Sequence, residues 1–79
     1  MSNIQTDLEK KQDLDNKLTA REKDMVVDSA NGMSRKQIAA KYRLSAHTVR
    51  NHCANIVKKT GLANMKQVIA EYIRGNVIA

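Results

Sequence analysis

Two serines, Ser34 and Ser45, bracket a segment with room for one short helix and a tight turn. Serine is a favoured helix N-cap because its hydroxyl oxygen accepts a bond from an orphan amide of the first turn. After Ser34, Ile38, Ala39 and Tyr42 recur at helical spacing, and Leu44 leads into the second cap. After Ser45, Val49, Cys53 and Ile56 share one side of a helix over about 46–60, joined by Val57 at its edge. Arg50, Asn51, Ala54 and Lys58 lie away from that side. From Arg35 to Lys59 there are seven basic residues (Arg35, Lys36, Lys41, Arg43, Arg50, Lys58, Lys59) and no acidic one. A short turn between two helices, the second of them basic, is the pattern of a helix-turn-helix that enters a DNA major groove.

The chain has 79 residues, which is one small domain. A domain of that size buries only about 60 % of the surface its unfolded chain exposes. Without Pro, Phe or Trp, its core must come from Leu, Ile, Val, Met and Ala, and the pairing of two copies would add buried apolar surface. The net charge is +6, unevenly spread. Residues 1–17 carry three lysines against four acids, whereas the remainder carries 11 basic and four acidic residues. That imbalance points residues 18–79 at a polyanion. Nucleic acid fits better than a membrane surface, because an interfacial helix wants bulky Trp or Phe anchors. One cysteine, Cys53, excludes an intramolecular disulfide. No apolar run is long enough to span a bilayer, and the N-terminus is unlike a signal peptide, so a cytoplasmic location is expected.

Residues 1–17 read as a polar extension, either a loose arm or a frayed helix, with Ile4, Leu8 and Leu14 as sparse apolar points. Thr19-Ala-Arg-Glu22 has the spacing of a capping box, with Leu18 as its hydrophobic staple. A helix over about 20–31 follows, with Glu22 as a polar edge and Met25, Val26, Ser29 and Ala30 facing inward. Gly32 suits its stop. The second helix covers about 35–43, and Gly61 ends the third. Leu62 packs inward, and Asn64 caps a fourth helix over about 65–74 bearing Met65, Val68, Ile69, Tyr72 and Ile73. The tail after Gly75, with Val77 and Ile78, is expected to be loosely held.

These residues together resemble a known family. Leu18-Thr19-x-Arg21-Glu22 is followed by Gly32-x-Ser34-x-Lys36-x-Ile38-Ala39, then Leu44-Ser45-x-x-Thr48-Val49-Arg50-x-His52, then Asn55-Ile56-x-x-Lys59-x-Gly61 and Asn64. The series resembles the four-helix DNA-binding domain of the LuxR/FixJ/GerE class of bacterial transcription regulators. It covers residues 18–74, and the length is similar to the small stand-alone, GerE-like members, so neither a phosphorylated receiver nor an autoinducer-binding domain is expected.

The resemblance implies an all-α fold: a LuxR-type helix-turn-helix domain over 18–79 behind the polar extension 1–17. It implies that the third helix reads the major groove through Arg50, Asn51 and Ala54. Arg can donate two bonds to guanine, Asn can bond adenine both ways, and Ala can touch a thymine methyl or leave room. Ser34, Lys36, Ser45, Thr48, Lys58 and Lys59 are the expected phosphate contacts, the two serines because helix N-terminal amides favour anions. The fourth helix, through Met65, Val68, Ile69, Tyr72 and Ile73, is the implied dimer face. Four positions depart from the family pattern. Asp28 and Thr60 stand where apolar residues are usual, Met65 where Arg is usual, and Cys53 where a larger aliphatic is usual. Asp28 and Thr60 are expected to cost core contacts, and Met65 to remove an anchoring charge.

Plainer readings apply to several of these residues. A charged helix face is often simply solvated, and Thr48 could bond within its own helix. His47, His52 and Cys53 do not share one helical face, so no metal site is expected. No cofactor, small-molecule ligand or catalytic constellation is expected either. The expected partners are double-stranded DNA and a second copy of the chain, with another transcription regulator or RNA polymerase as further candidates. A module that pairs with a larger LuxR-type regulator and modulates it is the main alternative function. A promoter-binding sigma-factor region fits the Thr48-Val49-Arg50-x-His52 run less well.

Overall fold

The computed structural model describes residues 18–77, so the readings for residues 1–17 and Ile78 lie outside the described residues. The described chain is all-α: α1 (Ala20–Ala30), α2 (Arg35–Tyr42), α3 (Ala46–Thr60) and α4 (Met65–Ile73). Each helix begins at the residue its cap predicts. Thr19 and Glu22 close a reciprocal capping box, the Glu22 amide donating to Thr19 Oγ1 at 3.1 Å and the Thr19 amide to Glu22 Oε1 at 2.8 Å. Ser34 and Gln37 form a second such box. Ser45 and Asn64 accept from the third amide of α3 and α4. Every cap gives a first-turn amide that lacks an intrahelical partner an acceptor three residues back, which fixes where the helix starts.

The turn between α2 and α3 is the tightest in the fold. Arg43 closes α2 in the left-handed region, at φ 56° and ψ 44°. The Leu44 amide then donates to Ala39 O at 2.8 Å. This reversal sends the chain into the Ser45 cap at once and sets α2 against α3. A non-glycine residue in this conformation costs roughly 1–2 kcal/mol.

The helices enclose a core of Leu18, Met25, Val26, Ile38, Ala39, Val49, Cys53, Ile56, Val68 and Val77. The α3 stripe of Val49, Cys53 and Ile56 therefore sits where its spacing placed it, with Val57 half-buried at the edge. Val77 was expected to be loose but is only 7 % exposed. The amides of Asn76 and Val77 both donate to Glu71 O, which folds the tail back under α4 and carries Val77 into the core.

Two buried acids on α1 hold the helices together. Glu22 is 2 % exposed, not an edge residue, and receives the Lys59 ammonium of α3 at 2.7 Å. Burial alone pushes its carboxyl up; the Lys59 ammonium and Thr19 together hold it below the ordinary Glu value. Asp28 accepts from the Lys41 ammonium at 2.7 Å and from the Tyr42 hydroxyl, both on α2. Burial pushes this carboxyl up as well, and Lys41 and Tyr42 reverse the effect. Arg21 stacks over the Tyr42 ring at 4.0 Å and extends the α1–α2 clamp. The expected loss of core contacts at Asp28 is thus offset by two bonds to α2. Thr60 is similarly satisfied, donating to Val57 O at 3.1 Å while 7 % exposed.

Candidate nucleic-acid interface

The helix α3 has two faces of opposite character. Val49, Cys53, Ile56 and Thr60 are buried on one side. At about 100° per residue, His47, Arg50, Asn51, Ala54 and Lys58 project from the opposite side, and all five are exposed. The residues expected to read bases therefore share one solvent-facing surface. Packing fixes this orientation, because turning Arg50 inward would expose Val49 and Ile56, both 0 % exposed.

At the start of α3, Ser45 Oγ accepts from the Thr48 amide at 3.0 Å and lies 2.9 Å from Thr48 Oγ1. Both hydroxyls remain at the surface beside the first turn of the helix. Ser34 and Lys36 are exposed at the start of α2. Arg35 adds a second guanidinium there: with Arg50, Cys53, Ala54 and Asn64 it borders an open groove of about 320 Å³ beside the exposed face of α3. Burial raises the Cys53 thiol, and the nearby Arg35 opposes this only in part, so the thiol stays protonated as a small core group.

The arrangement of charge sharpens the basic surface. Glu22, Asp28 and Glu71 take Lys59, Lys41 and Arg74 respectively. Among the described residues, Arg35, Lys36, Arg43, Arg50 and Lys58 have no carboxylate partner. Of the four acids that follow Leu18, Glu22 and Asp28 tie α1 to α3 and α2, Glu71 pairs locally with Arg74, and the fields of these three are cancelled locally. What remains is a cationic surface along α2 and α3. Lys59 differs from the other expected phosphate contacts, since its ammonium is engaged by Glu22 and its side chain is 32 % exposed.

Along α4 the expected interface residues separate. Val68 is 0 % exposed and belongs to the core, not, as expected, to the accessible face. Met65, Ile69 and Tyr72 are half-buried, and Ile73 is 70 % exposed. An amphipathic helix whose stripe is wider than the core it covers leaves this remainder at the surface.

Two features escaped the sequence reading. His47 shares the exposed face of α3, and Asn51 Nδ2 lies 3.3 Å from His47 Nε2. Its four-residue spacing from Asn51 was the available signal. The approach of Arg35 to Cys53 and Ala54 had no local signal, because it depends on how α2 crosses α3. Among the described residues, no cluster of His, Cys, Asp and Glu could hold a metal, and no helix is long and apolar enough to cross a membrane.

A capped helix pair, a basic outward face on its second helix and two supporting helices define a helix-turn-helix domain of the bacterial regulatory type. Residues 16–72 match the family described as bacterial regulatory proteins, luxR family. The chain belongs to that family. It is 37 % identical over 59 residues to a probable transcriptional regulatory protein, SgaR, of Hyphomicrobium methylovorum, covering 75 % of this chain and 28 % of the relative. It is 38 % identical over 60 residues to an uncharacterized transcriptional regulatory protein, YhcZ, of Bacillus subtilis strain 168, covering 76 % of this chain and 28 % of the relative. The chain thus spans little more than a quarter of the length of these relatives. No solved structure matches the chain significantly.

Proposed function

We propose that the chain is a sequence-specific DNA-binding regulator of transcription whose α3 lies in the major groove. The observation that carries this reading is the outward face of α3, with Arg50, Asn51 and Ala54 exposed together and opposite the buried stripe. Arg50 and Asn51 offer the donor and acceptor pairs that discriminate guanine and adenine, and Ala54 admits a thymine methyl. Ser34, Lys36, Ser45, Thr48 and Lys58 flank that face and serve the phosphates. Lys59 is left out of this set because Glu22 holds its ammonium. The location that suits this function is the cytoplasm.

The exposed Ile73, with Met65, Ile69 and Tyr72, supplies an apolar surface for a second copy. A two-fold pair would place its recognition helices about 34 Å apart, on successive turns of a pseudo-palindromic site. Selection of bound duplexes from a random DNA pool tests both statements, since it reports binding, sequence and half-site spacing together. Arg50→Ala should relax preference at one base pair and cost about 1–3 kcal/mol. If affinity and preference are both unchanged in that variant, α3 is not the reading helix. The same α4 surface supports a second reading, pairing with a larger regulator of this family. Tight heterodimers with no shift of any DNA would favour it.

A further inference from the structure

On the exposed face of α3, Asn51 and His47 meet side chain to side chain. Asn51 Nδ2 lies 3.3 Å from His47 Nε2, one helical turn back, with both side chains exposed. We infer that His47 is a positioning residue for base readout: its ring fixes the carboxamide of Asn51 and thereby sets which base edge Asn51 accepts. The inference rests on the DNA-reading role proposed above for α3.

Reading adenine requires one N–H for N7 and a carbonyl oxygen for the N6 amino group, offered side by side. The carboxamide carries two N–H donors and an oxygen with two lone pairs. In the observed contact one Nδ2 hydrogen goes to the ring nitrogen, which takes the accepting role when the ring proton sits on Nδ1. The other N–H and the whole of Oδ1 are left for the base. Bidentate capacity is preserved while rotation of the amide is restricted. An exposed Asn without this contact would turn its amide freely and offer the mirror-image pattern about as readily. Holding the amide before DNA arrives lowers the ordering cost of binding for the orientation that the ring tautomer selects.

The chemistry at position 47 also sets the sign. A ring that presents N–H at Nε2 would bind Oδ1 and reverse the amide, exchanging donor and acceptor toward the groove. His47 is therefore coupled to the identity of a single base pair. A side chain that merely met a phosphate would change affinity across all sequences and the salt dependence instead.

The test is parallel selection from one random duplex pool with the full chain, His47→Ala and His47→Phe, alongside thermal melts of each. Phe keeps a ring and removes the nitrogen. The expected result is a wild-type site with about tenfold preference for one base at the Asn51 position. Both variants should then lose most of that preference, retain preference at the Arg50 position and melt as the wild type does. Identical selected sites in all three proteins, or a His47→Phe site matching the wild type, would overturn the inference alone. An effect of the variants confined to salt dependence would also overturn it. A wild-type chain that selects no site would overturn the DNA-reading role itself, and this inference with it.

Discussion

The Glu22–Lys59 pair makes a sharp prediction, because one variant should be far worse than its own double mutant. Glu22 is a buried carboxylate whose described partners are the Thr19 amide and the ammonium of Lys59, a side chain 32 % exposed. Lys59→Met keeps most of the stem packing and strands the charge. Breaking a fully buried pair costs about 3–5 kcal/mol, and the partial solvent access of Lys59 reduces this to about 2 kcal/mol. For a domain of this size that is a fall in Tm on the order of 10 °C. Glu22→Gln in the same background removes the stranded charge while Oε1 still accepts the Thr19 amide. The double variant should therefore recover at least half of the loss.

Urea unfolding at neutral and acid pH is the assay. In the wild type the folded Glu22 carboxyl lies below its ordinary value of 4.5. Its contribution is therefore present above that value and fades as pH falls through the folded value. In Lys59→Met the remaining burial favours protonation, so the deficit should narrow as pH drops toward 4. A Lys59→Met protein within about 0.5 kcal/mol of wild type at neutral pH, or single-variant effects that simply add, would refute the pairing as a structural element.

Other contacts and surfaces give further outcomes. Tyr42→Phe should cost about 1 kcal/mol in urea unfolding by removing a donor to the buried Asp28. Asp28→Leu should cost less than Asp28→Ala, because leucine refills the volume while the exposed Lys41 returns to water. Arg43→Gly should raise stability by about 0.5–1 kcal/mol, since glycine adopts the left-handed turn without a Cβ clash. Ile73→Glu should leave the melting temperature of the isolated domain nearly unchanged while shifting sedimentation toward a single copy. Lys36→Ala should lower the salt dependence of DNA binding by about one phosphate equivalent, whereas Lys59→Met, measured where it is folded, should not.

Local sequence settles where each helix starts and which way α3 faces. Thr19, Ser34, Ser45 and Asn64 each bond an amide three residues on, and such contacts need no knowledge of the rest of the chain. The stripe of Val49, Cys53 and Ile56 follows from helical period alone, and with it the outward placement of Arg50, Asn51 and Ala54. Even His47 was within reach of that logic, being one turn from Asn51. Tertiary packing settled which cations are already engaged. Lys59 meets Glu22 across 37 residues, and Lys41 meets Asp28 across 13. It also divided α4, burying Val68 and leaving Ile73 out, and it drew Val77 into the core. These outcomes depend on how helices cross and how much interior four of them enclose, and neither is written in the spacing along any one helix.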